Sequence, residues 1–287
     1  MPILVTEVGE SMTLIRVAHS PDSDDAFMFY ALAKGLIDTG DLGFEHVLSD
    51  IESLNREAFD GTYEVTAVSI HAYAHLDNRY ALLGSGASMG DGYGPVLVAR
   101  SPVQTRQLAR MTVAIPGRLT SASLALKMWN PALQTVTLPF DEIMPAVSSG
   151  DVDGGVVIHE GQLTWQDEGF HKIVDLGVWW ADETDGLPLP LGGNVIRRDL
   201  GEEMCSRVAA LLKSSIEYSL ENREEALDYA LDYGRGLDRE KADRFVGMYV
   251  NDLTMDYGER GRQAVGAFLG RAFEERLIPR VPKLDFL

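Results

Sequence analysis

The stretch Gly154-Gly155-Val156-Val157-Ile158-His159-Glu160-Gly161 decides how the chain is read. Residues 156–158 are a short apolar run bounded by glycines, the pattern of a strand buried on both faces rather than of one with a wet side. Such a strand belongs to a sheet covered by helices, and in open α/β sheets ligands sit outside the carboxyl ends of the strands. His159 falls at that end. The stretch therefore predicts both a fold class and the place for a general base.

Outward from this run, strands alternate with helices. Residues 14–18, 44–48, 65–68, 112–115 and 135–138 read as strands, each followed by a helical pattern, at 26–32, 50–59, 70–75, 121–126 and 140–147. That alternation signals mixed, mainly parallel sheets. Residues 171–177 read as a further strand. The segment after it, ending in Leu187-Pro188-Leu189-Pro190-Leu191, reads as a loop in which the prolines rule out helix and Trp179 and Trp180 either wall an apolar pocket or plug a lobe. From Leu200 the apolar spacing becomes helical, as in Val208, Leu212 and Ile216, then Phe245 and Tyr249, then Val265 and Leu269.

The chain has 287 residues, and single cores usually stop growing near ~250 residues, which predicts two lobes. Crossings near residues 99 and 195 give a larger discontinuous lobe, 1–99 plus 196–287, and a smaller inserted lobe, 100–195. The ligand cleft then lies between the lobes.

Charge narrows the ligand. The formal net charge of -19 argues against nucleic acid and anionic membranes as partners. It also means that an acidic small molecule has to be held by local dipoles. The run Pro116-Gly117-Arg118-Leu119-Thr120-Ser121-Ala122 supplies them: hydroxyls at a helix start, free amides behind them, and a glycine, Gly117, that allows close approach. Thr120 or Ser121 taken singly is also an ordinary helix cap.

The turn His19-Ser20-Pro21-Asp22-Ser23-Asp24-Asp25 carries more acid than a cap needs, so one or two of its carboxylates, Asp22 among them, are expected to meet a ligand hydroxyl. Ser69 closes another strand. His71 and His75 are four apart on one helical face, a spacing compatible with a metal, but without a third ligand packing is the better reading. The glycines from Gly84 to Gly94 precede a strand rather than open a helix, so neither nucleotide fingerprint applies.

The single cysteine, Cys205, allows no internal disulfide and suits a passive place on a helix in a reducing compartment. No stretch approaches the ~20 apolar residues of a membrane span, and residues 1–11 have neither the basic start nor the long apolar run of a secretory signal. A cytoplasmic protein is expected, with residues 1–11 a dispensable extension.

Taken together, Ser20-Pro21-Asp22-Ser23-Asp24-Asp25-Ala26-Phe27, Ser69-Ile70-His71-Ala72-Tyr73, Pro116-Gly117-Arg118-Leu119-Thr120-Ser121-Ala122, Ile158-His159-Glu160-Gly161 and Asp175-Leu176-Gly177-Val178-Trp179-Trp180 resemble the 1,4-dihydroxy-6-naphthoate synthase family of the futalosine route to menaquinone. The resemblance runs from about Leu14 to the C-terminus. It implies a two-lobed fold like that of type II periplasmic binding proteins, no metal or organic cofactor, and a lyase that turns cyclic dehypoxanthine futalosine into 1,4-dihydroxy-6-naphthoate. It further implies His159 as base and Ser69, Thr120 and Ser121 as substrate contacts. Many relatives carry Cys-Pro-Asn where this chain has Asp22-Ser23-Asp24, a departure in the opening turn.

Two other functions fit the same fold. Chorismate dehydratase looks similar but generally lacks the Ile-His-Glu-Gly segment. A solute-binding protein that captures a carboxylate would have the same lobes, though neither a signal peptide nor a lipobox-type cysteine is visible. The expected partner is a small-molecule carboxylate, and homodimer formation stays open.

Overall fold

The computed structural model describes residues 12–234 and 237–287; the proposed N-terminal extension lies outside them. The chain opens with β1 (Thr13–His19), α1 (Ser23–Ala33), β2 (Leu42–Leu48), α2 (Ile51–Asp60), β3 (Val65–Ser69), α3 (Ile70–Tyr73), β4 (Tyr80–Leu82) and β5 (Ser88–Gly90). It continues through β6 (Val96–Ala99), α4 (Thr105–Leu108), β7 (Thr112–Ile115), α5 (Ser121–Trp129), β8 (Gln134–Thr137), α6 (Phe140–Ser149), β9 (Gly154–Val157), α7 (Gly161–Thr164), β10 (His171–Asp175) and α8 (Leu176–Glu183). After β11 (Leu189–Arg197) come α9 (Glu202–Glu221), α10 (Arg223–Leu231), α11 (Arg239–Tyr249), α12 (Asp252–Met255) and α13 (Gly258–Glu274).

Two sheets form. The first runs β2-β1-β3-β11-β4, with β5 also on β11, and the second runs β10-β6-β9-β7-β8. β1 is parallel to β2 and β3, and β7 is parallel to β8 and β9. The antiparallel pairings belong to β11 in one sheet and β6 in the other, the strands on which the chain enters and leaves the inserted lobe. Both sheets are therefore mixed.

Sheet membership moves the lobe crossings earlier than residues 99 and 195. Val96–Ala99 pairs with β9 and β10 in the second sheet, and Leu189–Arg197 lies wholly in the first. An apolar run such as Val96-Leu97-Val98-Ala99 is buried in either lobe, so hydrophobicity alone does not assign it; the hydrogen-bond ladder does.

The α1 helix shows how the larger lobe is closed. Ala26, Phe27, Met28 and Phe29 are all buried, and a helix apolar on every side needs cover on every side. The sheet covers one side, and α9 and α10 cover others. Ser215 of α9 donates to the Met28 carbonyl at 2.8 Å, and Cys205 is buried on α9 as a free thiol. The late helices thus complete the lobe begun by β1.

One expected loop is a helix. Trp179 and Trp180 lie on α8, which starts because the Asp175 carboxylate accepts from the Gly177 and Val178 amides at 2.9 and 3.1 Å. Pro188 and Pro190 act only beyond its end. Trp180 is fully buried, donates to the Pro188 carbonyl at 3.1 Å and meets Phe268 edge to face. It plugs the core instead of walling a ligand pocket. Among the described residues no helix is long and apolar enough to cross a membrane.

Candidate active site

A cavity with an empty volume of about 710 Å³, part of it open to solvent, lies between the two sheets. Its wall includes Asp22, Ser69, Thr120, Ser121 and His159, so five of the six residues singled out in the sequence meet around one space. Gly117 is the exception. It sits behind α5, where a Cβ would run into the Glu52 side chain and where its carbonyl accepts from Thr120 Oγ1 at 2.9 Å. Its smallness serves packing of one lobe on the other, and it does not line the cavity.

His159 is two residues past β9, with a left-handed backbone at φ 53°, a region histidine enters more readily than most side chains. The turn carries its ring back over the cleft, edge to face with Phe140 at 5.1 Å between centroids. There Nδ1 lies 2.7 Å from Asp22 Oδ2 of the other lobe. With a carboxylate as acceptor, Nδ1 carries the hydrogen and Nε2 keeps its lone pair. The Asp22 side chain is 3% exposed and that of His159 17%. Both line the cavity, the imidazole the more open of the two and the carboxylate nearly sealed. Asp22 stands at the N-cap position of α1, yet its side chain makes no cap hydrogen bond; its carboxylate turns to the histidine instead of the helix.

The first turn of α5 faces the same space. Thr120 Oγ1 accepts from the Ser123 amide at 3.2 Å, and the first intrahelical bond is Leu124 N–H to the Thr120 carbonyl at 3.2 Å. The Ser121 and Ala122 amides therefore remain at the positive end of the helix, where an anion is favoured. The Ser121 hydroxyl donates to the Leu191 carbonyl at 2.6 Å and accepts from the His71 amide at 3.2 Å. The Thr120 and Ser121 hydroxyls are thus engaged in holding the turn, and the amides are what a carboxylate would meet. His71 Nδ1 faces the Thr120 carbonyl at 3.2 Å, and burial lowers its pKa to about 4. The His71 ring packs against that of His75, and among the described residues no group of three or more His, Cys, Asp or Glu could hold a metal ion.

Ser69 is fixed from α2. Asn55 Nδ2 donates to Ser69 Oγ at 3.0 Å, and the Ser69 amide donates to Asn55 Oδ1 at 2.8 Å. The serine's own hydrogen stays available to the cavity. Asn55 escaped the sequence reading although a signal existed: Ile51, Leu54, Asn55 and Ala58 form one stripe along the helix, and a fully buried amide in an apolar stripe wants a specific partner.

Gln162, Asn194, Phe245 and Tyr249 also line the cavity. Tyr249 donates to Gln162 at 2.7 Å and so ties α11 to α7 across the lobes. Its spacing with Phe245 reads as core, and nothing in the sequence distinguishes it from core.

Acid is concentrated on one side. Burial pushes the Asp24 and Asp25 carboxyls well above the usual range, and negative neighbours push further: Asp22, Asp25 and Glu160 for Asp24, and Asp22 for Asp25. Ser20 N–H donates to Asp25 Oδ2 at 2.9 Å, which opposes that rise.

A family model described as menaquinone biosynthesis matches residues 15–274. The chain is 39% identical over 276 residues to a 1,4-dihydroxy-6-naphthoate synthase of Thermus thermophilus, covering 96% of this chain and 100% of that one. It is 35% identical over 275 residues to a Streptomyces coelicolor protein of the same name, covering 94% and 96%. Among solved structures, an Archaeoglobus fulgidus protein superposes with a TM-score of 0.89 at 49% identity, over 92% of this chain and 98% of that one. The alkanesulfonate-binding protein of Xanthomonas axonopodis superposes with a TM-score of 0.69 at 12% identity, over 94% and 95%; at that identity the likeness shows the two-lobed binding-protein fold alone.

Proposed function

The chain belongs to the menaquinone biosynthesis family, and we propose that within it this protein is the lyase that converts cyclic dehypoxanthine futalosine to 1,4-dihydroxy-6-naphthoate, with His159 as general base. The observation that carries the reading is the 2.7 Å contact between His159 Nδ1 and Asp22 Oδ2, made by groups of opposite lobes in the wall of one cavity. It supplies a base whose orientation and tautomer are set by a buried carboxylate.

The chemistry asks for little more. His159 Nε2 takes a proton from carbon next to a ketone, and the C–H bonding pair moves into an enolate. Collapse of the enolate expels a substituent, which leaves with its bonding pair and takes up a proton, and the ring becomes aromatic. Electrons balance without an oxidant or reductant. The Ser121 and Ala122 amides fix the aryl carboxylate by helix dipole and hydrogen bonding, which works despite a net charge of -19. Ser69, with its hydroxyl aimed by Asn55, donates to a substrate oxygen. Asp22 acts through His159, stabilising the imidazolium that forms.

Incubation of the purified protein with cyclic dehypoxanthine futalosine and, separately, with chorismate, each followed by mass spectrometry, tests the assignment. The expected result is 1,4-dihydroxy-6-naphthoate from the first and unchanged chorismate from the second. Conversion of chorismate alone would transfer the chain to the dehydratase reaction, and conversion of neither would favour capture of a carboxylate without chemistry.

A further inference from the structure

Asp24 is a feature that a single base does not explain. It sits in the first turn of α1 as part of the cavity wall, 8% exposed, and its Oδ1 has no hydrogen-bond partner among the described residues. A buried polar oxygen without a protein partner is a rarity that calls for an explanation. The residue lines the cavity, so a ligand atom drawn in beside its carboxyl is the direct one.

The surroundings decide which form of the carboxyl is present. Asp22 and Asp25 flank it on its own turn, Glu160 approaches from the other lobe, and Tyr249 of α11 is close enough to feel its charge. His159 is engaged with Asp22. On the other elements packed against α1, Arg223 of α10 covers the Phe27 ring and is held by Asp243, Tyr218 of α9 meets Tyr30, and His46 of β2 meets Phe29. Among the described residues none of these groups is an ion-pair partner of Asp24. Burial and three acidic neighbours favour the neutral acid, and a neutral carboxyl has a hydrogen to donate.

We propose that Asp24 is a second catalytic group, a neutral carboxyl whose O–H donates into the cavity to the substrate carbonyl oxygen and holds the charge that develops there when His159 removes the proton. The proposal rests on the lyase reading above. No bond to Asp24 forms, and its proton stays on it; the gain is the strengthening of one hydrogen bond as the carbonyl becomes an enolate. The sign of the pH dependence follows. Asp24 must be protonated, so activity falls as pH rises through its raised pKa, when a donor becomes a negative charge beside an enolate.

Steady-state pH profiles of the wild type, Asp24→Asn and Asp24→Ala on cyclic dehypoxanthine futalosine test this. The asparagine amide can donate but does not titrate. Asp24→Asn is expected to keep kcat within about tenfold and to lose the alkaline limb, while Asp24→Ala loses about 10²–10³-fold in kcat. An alkaline limb unchanged in Asp24→Asn, or an Asp24→Ala enzyme with wild-type kcat, overturns the proposal; should the alanine variant fail to fold, the isosteric asparagine variant decides. Infrared difference spectra of wild type against Asp24→Asn at neutral pH give a readout independent of turnover. The carbonyl stretch of a protonated carboxyl, present only in the wild type, is expected, and its absence overturns the proposal. A wild type that shows this band but leaves the substrate unchanged contradicts the lyase reading and with it the catalytic role, while leaving the neutral carboxyl in place.

Discussion

At the start of α1, Asp22 is a nearly sealed carboxylate held against a histidine of the other lobe. Three acids at a strand end exceed what capping requires, and that surplus was legible; which group each acid serves was not, because the partner of Asp22 comes from the other lobe, far along the chain. In the structure its carboxylate reaches His159 at 2.7 Å, and in the proposed reaction that contact positions the base. Asp22→Asn preserves shape while allowing the amide nitrogen to face Nδ1, which favours the tautomer with the hydrogen on Nε2 and disables the base. The expected loss in kcat is on the order of 10²–10⁴-fold with KM changed little, measured in steady state. A loss confined to KM would return Asp22 to the role of substrate contact.

The elements themselves were largely legible. Short apolar runs marked β1, β3, β7 and β9 to within a few residues, and the helix expected over 50–59 is α2, capped by Asp50, which accepts from the Glu52 and Ser53 amides. The failure at α8 has a plain cause. Pro188 and Pro190 lie close in sequence to the tryptophans, but a proline forbids helix only at and just before its own position, and the Asp175 cap acts first. The α2 helix also links element stability to the site. Truncation in Asn55→Ala leaves the Ser69 amide and hydroxyl without the partner that holds them, so a cost of about 1–3 kcal/mol is expected. Urea unfolding should show it as a lower midpoint with an unchanged slope, accompanied by weaker binding of 1,4-dihydroxy-6-naphthoate. An unaltered midpoint would mean that the Asn55 pair with Ser69 contributes little.

At the scale of the molecule, the cavity is built by bringing two sheets together. Asp22, Ser69 and Tyr249 belong to one lobe, and His159, Thr120, Ser121 and Gln162 to the other; Tyr249 to Gln162, His71 to Ser121 and Leu119 to Glu52 hydrogen bonds close the cleft around them. A sequence announces the residue types of such a site but not the crossings that assemble it, since Val96–Ala99 is equally apolar for either sheet. The claim on which the functional account depends is that the imidazole of His159 removes the proton, while the α5 amides and Ser69 hold the substrate. Parallel calorimetry and turnover on the intact His159→Asn chain test it most directly. The account predicts that this variant still binds 1,4-dihydroxy-6-naphthoate with an affinity near that of the wild type and turns over cyclic dehypoxanthine futalosine at least about 10²-fold more slowly. Turnover close to that of the wild type would contradict it.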